Sequence, residues 1–332
     1  MFQKKTVFVV GAGCSVELGL PAGPELIDRI YGTVSDHKSP HWGLVYEAYI
    51  RSGVPGANQN VPRRFDQLAA TLSNFASIDQ CLDFHRADPA LVMLGKCAVA
   101  TEIFVAESES KLREELASGP LPDVWLRRLL YLMTDGVQAE NAARIFSNVS
   151  FICFNYDRAI EVFFHRAMQT LVSGGGGPDL RIWHPYGALG GAGPADAGII
   201  SPPPSFGLRR VHPEDILAAA RRLRTFTEGM EDQQERDAIR AELMSAQQVI
   251  FLGFGFLEAN MRLLQLGPDR SASGYLMGTV FKMPDPNVSY VRNLIATSFG
   301  PAKDPSQIYR RLELVNLSAS DFLWHYGQVL RS

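Results

Sequence analysis

Cysteine is scarce in this 332-residue chain: only Cys14, Cys81, Cys97 and Cys153, with no C-x-x-C pair. That spacing argues against a disulfide framework and excludes a cysteine-built zinc module, whose thiolates must lie close together. Cys81 and Cys97 read as small apolar core residues. Histidine is thin as well: His37, His41, His85, His165, His212 and His325 are scattered without metal-ligand spacing, so no metal is expected. Excess charge of one sign is missing. The formal net charge is −3 and the pI about 6.2, which argues against a basic coat and direct nucleic-acid binding. The local run Arg209, Arg210, Arg221, Arg222 and Arg224 reads as a solvated face. No apolar run approaches the roughly 18–20 residues of a membrane span. The basic start Met1–Lys5 meets only the short apolar run Val7–Val10, without a cleavage site, so a cytoplasmic protein off the membrane is expected. What is present, 46% hydrophobic against 20% charged residues, excludes disorder for most of the chain.

Short apolar runs recur, and each ends at a glycine or polar turn. Thr6–Val10 runs into Gly11-Ala12-Gly13; Val149–Phe154 into Asn155-Tyr156-Asp157; Leu180–Trp183 into His184-Pro185-Tyr186-Gly187; Val249–Leu252 into Gly253-Phe254-Gly255-Phe256. Tyr275–Phe281 and Leu312–Leu317 are further candidate strands. Helical patterns lie between them, at Pro24 onward, Arg158–Leu171, Met230–Ala246, Leu257–Leu266, Val288–Thr297 and Asp321–Leu330. Residues 40–146 are mostly helical, with a break at Ser118-Gly119-Pro120. Ser173–Pro178 reads as a flexible glycine-rich stretch and residues 188–213 as loop-like. The pattern predicts an α/β fold: a Rossmann-like parallel sheet with helices on both faces and a helical insertion. We expect one domain over 1–332, with its core at 1–35 and 147–317, the insertion at 40–146 and a C-terminal helix at 318–332.

In such sheets ligands sit at the carboxyl ends of the strands, so these turns are expected to meet around one cleft. Gly11-Ala12-Gly13-Cys14-Ser15 has the small residues that let a backbone approach a phosphate; the same glycines also serve plain strand-to-helix packing. Asn155 and Asp157 are suited to hold a ribose hydroxyl, a carboxamide or a water. They are equally preferred helix caps, and the readings agree if one caps and the other faces the cleft. Gly253-Phe254-Gly255 is a second candidate nucleotide loop, or a tight turn with its phenylalanines in the core.

Together these motifs resemble the sirtuin superfamily, in particular Sir2-like domains of bacterial anti-phage NAD hydrolases. The resemblance rests on Val9-Val10-Gly11-Ala12-Gly13-Cys14-Ser15 with Leu18-Gly19-Leu20-Pro21, then Phe154–Asp157, His184–Gly187 and Gly253–Phe256, over roughly residues 5–300. It implies an NAD site. Gly11, Ala12, Gly13 and Ser15 would cradle the pyrophosphate and Gly253 and Gly255 would line the adenosine side, with Cys14, Tyr186, Gly187 and Phe254 as further cofactor-binding candidates. Asn155, His184 and Asp157 are the catalytic candidates.

Three departures matter. The zinc ribbon of protein deacylases cannot be built here, and Ala22-Gly23-Pro24 replaces their Asp-Phe-Arg string, so deacylation is not expected. The family's catalytic histidine would directly precede Gly187, where Tyr186 stands. An extended 182–187 would turn His184 and Tyr186 to one face, giving His184 the proton-handling role. Otherwise catalysis is weakened. The resemblance thus implies an NAD glycohydrolase that releases nicotinamide and takes NAD as substrate, without a metal. It would be a restrained effector of anti-phage defence, regulated by homo-oligomerisation or a protein partner. The alternative is a catalytically weak or inactive NAD or ADP-ribose binding module, acting as sensor or scaffold.

Overall fold

Six apolar runs become six parallel strands in the computed structural model: β1 (Thr6–Val10), β2 (Val149–Cys153), β3 (Arg181–Trp183), β4 (Gln248–Leu252), β5 (Tyr275–Thr279) and β6 (Leu312–Val315). The structure describes residues 1–113, 123–172, 179–190, 206–207, 210–267, 272, 274–300 and 304–331. The expected breaks at Ser118–Pro120 and Ser173–Pro178, residues 191–205 of the expected loop, and Arg209 lie outside the described residues. The sheet order is β3-β2-β1-β4-β5-β6. β1 pairs on one side with β2, Val10 opposite Cys153, and on the other with β4, Val10 opposite Leu252. Every residue of β1, β2 and β4 is buried, as a strand covered on both faces requires.

The helices are α1 (Gly23–Ser35), α2 (Trp42–Ile50), α3 (Val61–Leu72), α4 (Ile78–Phe84), α5 (Pro89–Glu109) and α6 (Trp125–Thr134), all before β2; α7 (Ala159–Leu171); α8 (Pro213–Ala220), α9 (Phe226–Glu231) and α10 (Gln233–Ser245) before β4; then α11 (Glu258–Leu264), α12 (Asp285–Phe299) and α13 (Ala319–Arg331). Because side chains alternate along a strand, Val7 and Val9 enter one core and Phe8 and Val10 the other. The first core is closed by α1 to α5 and by α8, α10, α11 and α12. The second is closed by α6, α7 and α13, with Phe8 stacked on Phe151 at 5.6 Å. Cys81 and Cys97 are fully buried in the first core.

Three readings change. The helices between residues 40 and 146 serve two faces: α2 to α5 join α1 on the first, whereas α6 crosses to the second and packs along α13. The single helix expected over 230–246 is two, because Asp232 leaves helical geometry and its carboxylate caps α10 by accepting the Glu235 N–H. α5 is, by length and composition, apolar enough to cross a membrane, contrary to the reading of the sequence; Lys96 and Glu102 interrupt its apolar run. It is a core helix, 83% of its most apolar window lying inside the fold.

Candidate functional site

The strand order reverses between β1 and β4, the switch point at which open α/β sheets commonly place a ligand; here the two flanking turns lie against each other. The turns after β3, β2, β1 and β4 stand side by side along this edge. The β1 and β4 turns touch backbone to backbone. Gly11 N–H donates to the Leu252 carbonyl and Gly13 N–H to the Gly253 carbonyl, both at 3.0 Å. A Cβ on Gly11 would stand 2.6 Å from the Gly253 oxygen, and one on Gly253, whose φ is +54°, 2.3 Å from the Cys14 nitrogen. These glycines exist for that close approach. Their N–H groups are engaged, those of Gly11 and Gly13 with the β4 end and its turn and that of Gly253 with Thr279 Oγ1 of β5 at 3.0 Å, and do not point free toward a phosphate. The regular helix also starts later than the motif implies: two 3₁₀ turns, Ala12–Cys14 and Val16–Leu18, precede α1 at Gly23.

From the β2 turn, Asn155 and Asp157 reach back to the glycine loop. Asn155 Nδ2 donates to the Gly11 carbonyl at 3.3 Å and to Ser15 Oγ at 2.8 Å. Ser15 Oγ donates to Asp157 Oδ2 at 2.8 Å, and Asp157 Oδ1 accepts the Ala159 N–H at 3.0 Å, serving the first turn of α7. Both residues therefore reach the glycine loop, and Asp157 in addition serves the start of α7, whose N-cap position is Arg158. The Gly11 carbonyl can only accept, which fixes the orientation of the Asn155 carboxamide. Its Oδ1 is left without a partner among the described residues, in a side chain 5% exposed. An unpaired buried acceptor is costly, so this oxygen is suited to accept from a water or another polar group. Burial also pushes the Asp157 carboxyl up, partly offset by the Ser15 hydroxyl.

His184 and Tyr186 part company. Residues 184–187 form a turn, with Gly187 N–H donating to the His184 carbonyl at 2.8 Å and Pro185 at its second position. The extended geometry that would align the two rings is thus absent. His184 lies between the Asn155 carbonyl, 3.3 Å from Nδ1, and Glu161 Oε1, 2.9 Å from Nε2. Tyr186 turns into the first core, 2% exposed, and donates to Asn260 Oδ1 at 2.7 Å. Burial pushes its phenol well above the ordinary range. Gly187, at φ +73°, leaves no room for a side chain against the Arg222 carbonyl.

The other candidates divide similarly. Cys14 is fully buried with its side chain in the second core, and burial raises its thiol. Phe254 packs edge-on to Phe154 and Phe256 inside the first core. Gly255 and Gly13 are exposed and Ala12 is partly so. Gly255 alone of the motif glycines has a φ outside the left-handed region and open space where a Cβ would stand.

Several contributors were not singled out from sequence. Asp79 of α4 accepts the Tyr156 hydroxyl, and burial lifts its carboxyl to about 6 despite that bond. Arg158 and Glu107 form an ion pair at 2.5 Å with both side chains fully buried, tying the start of α7 to α5. Glu161 had a legible signal: an acid between Ile160 and Val162 on an apolar helix needs a buried partner. Among the described residues no group of three or more His, Cys, Asp or Glu side chains is arranged to hold a metal. Neither protein-family models nor curated protein sequences give a match to this chain.

Proposed function

We propose that the carboxyl edge of the sheet binds NAD and hydrolyses the bond between nicotinamide and ribose. The observation that carries this reading is the unpaired, buried Oδ1 of Asn155 beside the glycine loop of a doubly wound sheet. That oxygen is suited to accept a hydrogen bond from the attacking water or from a ribose hydroxyl. In the reaction the bond from the ribose anomeric carbon to the pyridinium nitrogen breaks, and nicotinamide leaves as a neutral molecule. The water oxygen bonds to that carbon, ADP-ribose forms and one proton is released. Nicotinamide is a good leaving group, so positioning and charge stabilisation in a water-poor site supply most of what the residues must do. Ser15 and Asp157 hold Asn155 in place. The resemblance to Sir2-like NAD hydrolases supports a cytoplasmic role in anti-phage defence, with NAD depletion restrained by self-association or a protein partner.

A second reading has its own observation. His184 has both ring nitrogens engaged and Tyr186 is committed to Asn260, so neither offers a free base. This favours an NAD or ADP-ribose binding module with little turnover. One experiment separates the two. Nicotinamide release is followed chromatographically for the wild type and Asn155→Ala, beside calorimetric titration with NAD. Hydrolysis predicts release that falls by about 100-fold or more in Asn155→Ala, the scale of losing one preorganised polar contact. Binding without release in the wild type supports the module. Neither binding nor release overturns both.

A further inference from the structure

His184 is the site residue whose surroundings least match the task the sequence suggests for it. Its Nδ1 faces the Asn155 carbonyl, which can only accept, so Nδ1 carries a hydrogen. With that position filled, a neutral ring would aim the Nε2 lone pair at a carboxylate oxygen 2.9 Å away. The contact is attractive only if a proton lies between Nε2 and Glu161. Neither nitrogen then keeps a lone pair for substrate. The surroundings agree. The His184 side chain is 13% exposed and that of Glu161 5%. Burial is the largest single influence and opposes a charged ring, yet Glu161 and Cys153 together outweigh it and hold His184 well above the ordinary histidine value. The other titratable groups bearing on the ring are Cys153, Asp157 and Glu235. Burial pushes the Cys153 thiol up, and its sulfur shares a hydrogen bond with the His184 ring beside the Glu161 contact.

We infer that His184 is a positioning residue: its doubly protonated ring, gripped by Glu161 of α7, holds the Asn155 carbonyl and so fixes the Asn155 carboxamide over the glycine loop. The link is short. The carbonyl and the carboxamide belong to one residue, the carboxamide being pinned to Gly11 and Ser15 on its far side. α7 supplies the rigid base, and Arg158 with Glu107 secures its first turn. The effect on turnover rests on the NAD-hydrolase reading; the state of the ring does not.

Full-length protein labelled with ¹⁵N-histidine tests the ring directly. In the wild type both His184 nitrogens stay protonated at pH 8, and in Glu161→Gln the ring titrates at least one pH unit lower. A wild-type ring that loses a proton near pH 6.5 overturns the inference. Turnover provides the second arm. Positioning predicts that Glu161→Gln and His184→Gln lower kcat by roughly 10-fold with KM nearly constant, below the 10²–10⁴-fold of a lost general base. The alkaline limb of the pH profile moves to lower pH in Glu161→Gln. An acid limb that follows His184 deprotonation, with kcat lost by 10³-fold or more in His184→Gln, overturns it. If the wild type releases no nicotinamide, the NAD reading fails alone and the ¹⁵N measurement still decides the state of the ring.

Discussion

The two halves of the carboxyl edge are joined by opposite means. At β1 and β4 the junction is backbone against backbone. Gly11, Gly13 and Gly253 interlock main chain to main chain, and a single added methyl would fall within 2.3–2.8 Å of a main-chain atom. At β2 and β3 the junction is made of side chains: Asn155, Ser15 and Asp157 in a hydrogen-bonded chain, with the His184–Glu161 pair behind it. The first kind of contact is rigid and indifferent to pH but tolerates almost no substitution. The second depends on protonation and accepts isosteres. A site that must fix one carboxamide beside a loop of invariant shape uses both.

The largest effect expected from breaking this contrast is at Gly253. Alanine there combines a left-handed backbone, about 1–2 kcal/mol, with an overpacked contact of about 1–3 kcal/mol. Gly253→Ala should lower the melting temperature by roughly 3–7 °C. Calorimetry at pH 6 and pH 9 should give the same loss at both values, since no titrating group is involved. A loss below about 2 °C would mean that the loops part easily.

An intermediate effect is expected from His184→Gln, and here pH matters. The folded-state pKa of His184 is raised, so the ring binds its proton more tightly in the folded chain. Its stabilisation is fully present below the unfolded value of about 6.5 and fades as pH rises through the folded value. Urea titrations should therefore show His184→Gln costing about 2 kcal/mol near pH 6, the scale of a charged hydrogen bond. The gap to wild type should narrow at alkaline pH. A gap that widens with pH would reverse the assignment.

The smallest effect sharpens the comparison from inside one motif. Gly255 follows Gly253 by two residues, yet a Cβ there would meet open space. Gly255→Ala should change stability by less than about 0.5 kcal/mol. If Gly255 is small so that a nucleotide can pass, NAD affinity measured by calorimetry should fall in this variant while the melting curve stays in place. Unchanged affinity would confine the motif's function to Gly253.

Much of the architecture was legible without coordinates, because its determinants are local. Each strand lies in a short, largely apolar run, and all six are where those runs lie. The caps that split the polar stretch after residue 224 were also written locally, as Thr225-x-x-Glu228 and Asp232-x-x-Glu235. Parallel pairing then follows from the alternation of strand and helix, and it brings the four turns to one edge. Less legible was the division of the helices after residue 40 between two faces, since α5 and α6 are both apolar enough to suit either core.

The site divides in the same way. The sequence by itself determined which turns would lie side by side and that Asn155 and Asp157 would stand beside the glycine loop, since a motif at a strand's carboxyl end has nowhere else to go. Only the tertiary structure decided what each side chain does there. Whether His184 faces substrate or Glu161 depends on a turn at Pro185 and a helix 23 residues away in the chain. Asp79 reaches Tyr156 across 77 residues. Gly253 needs to be glycine because a separate loop lies against it. Such contacts are set by how packed elements settle against one another, and no local pattern of residue types records where two distant side chains will meet.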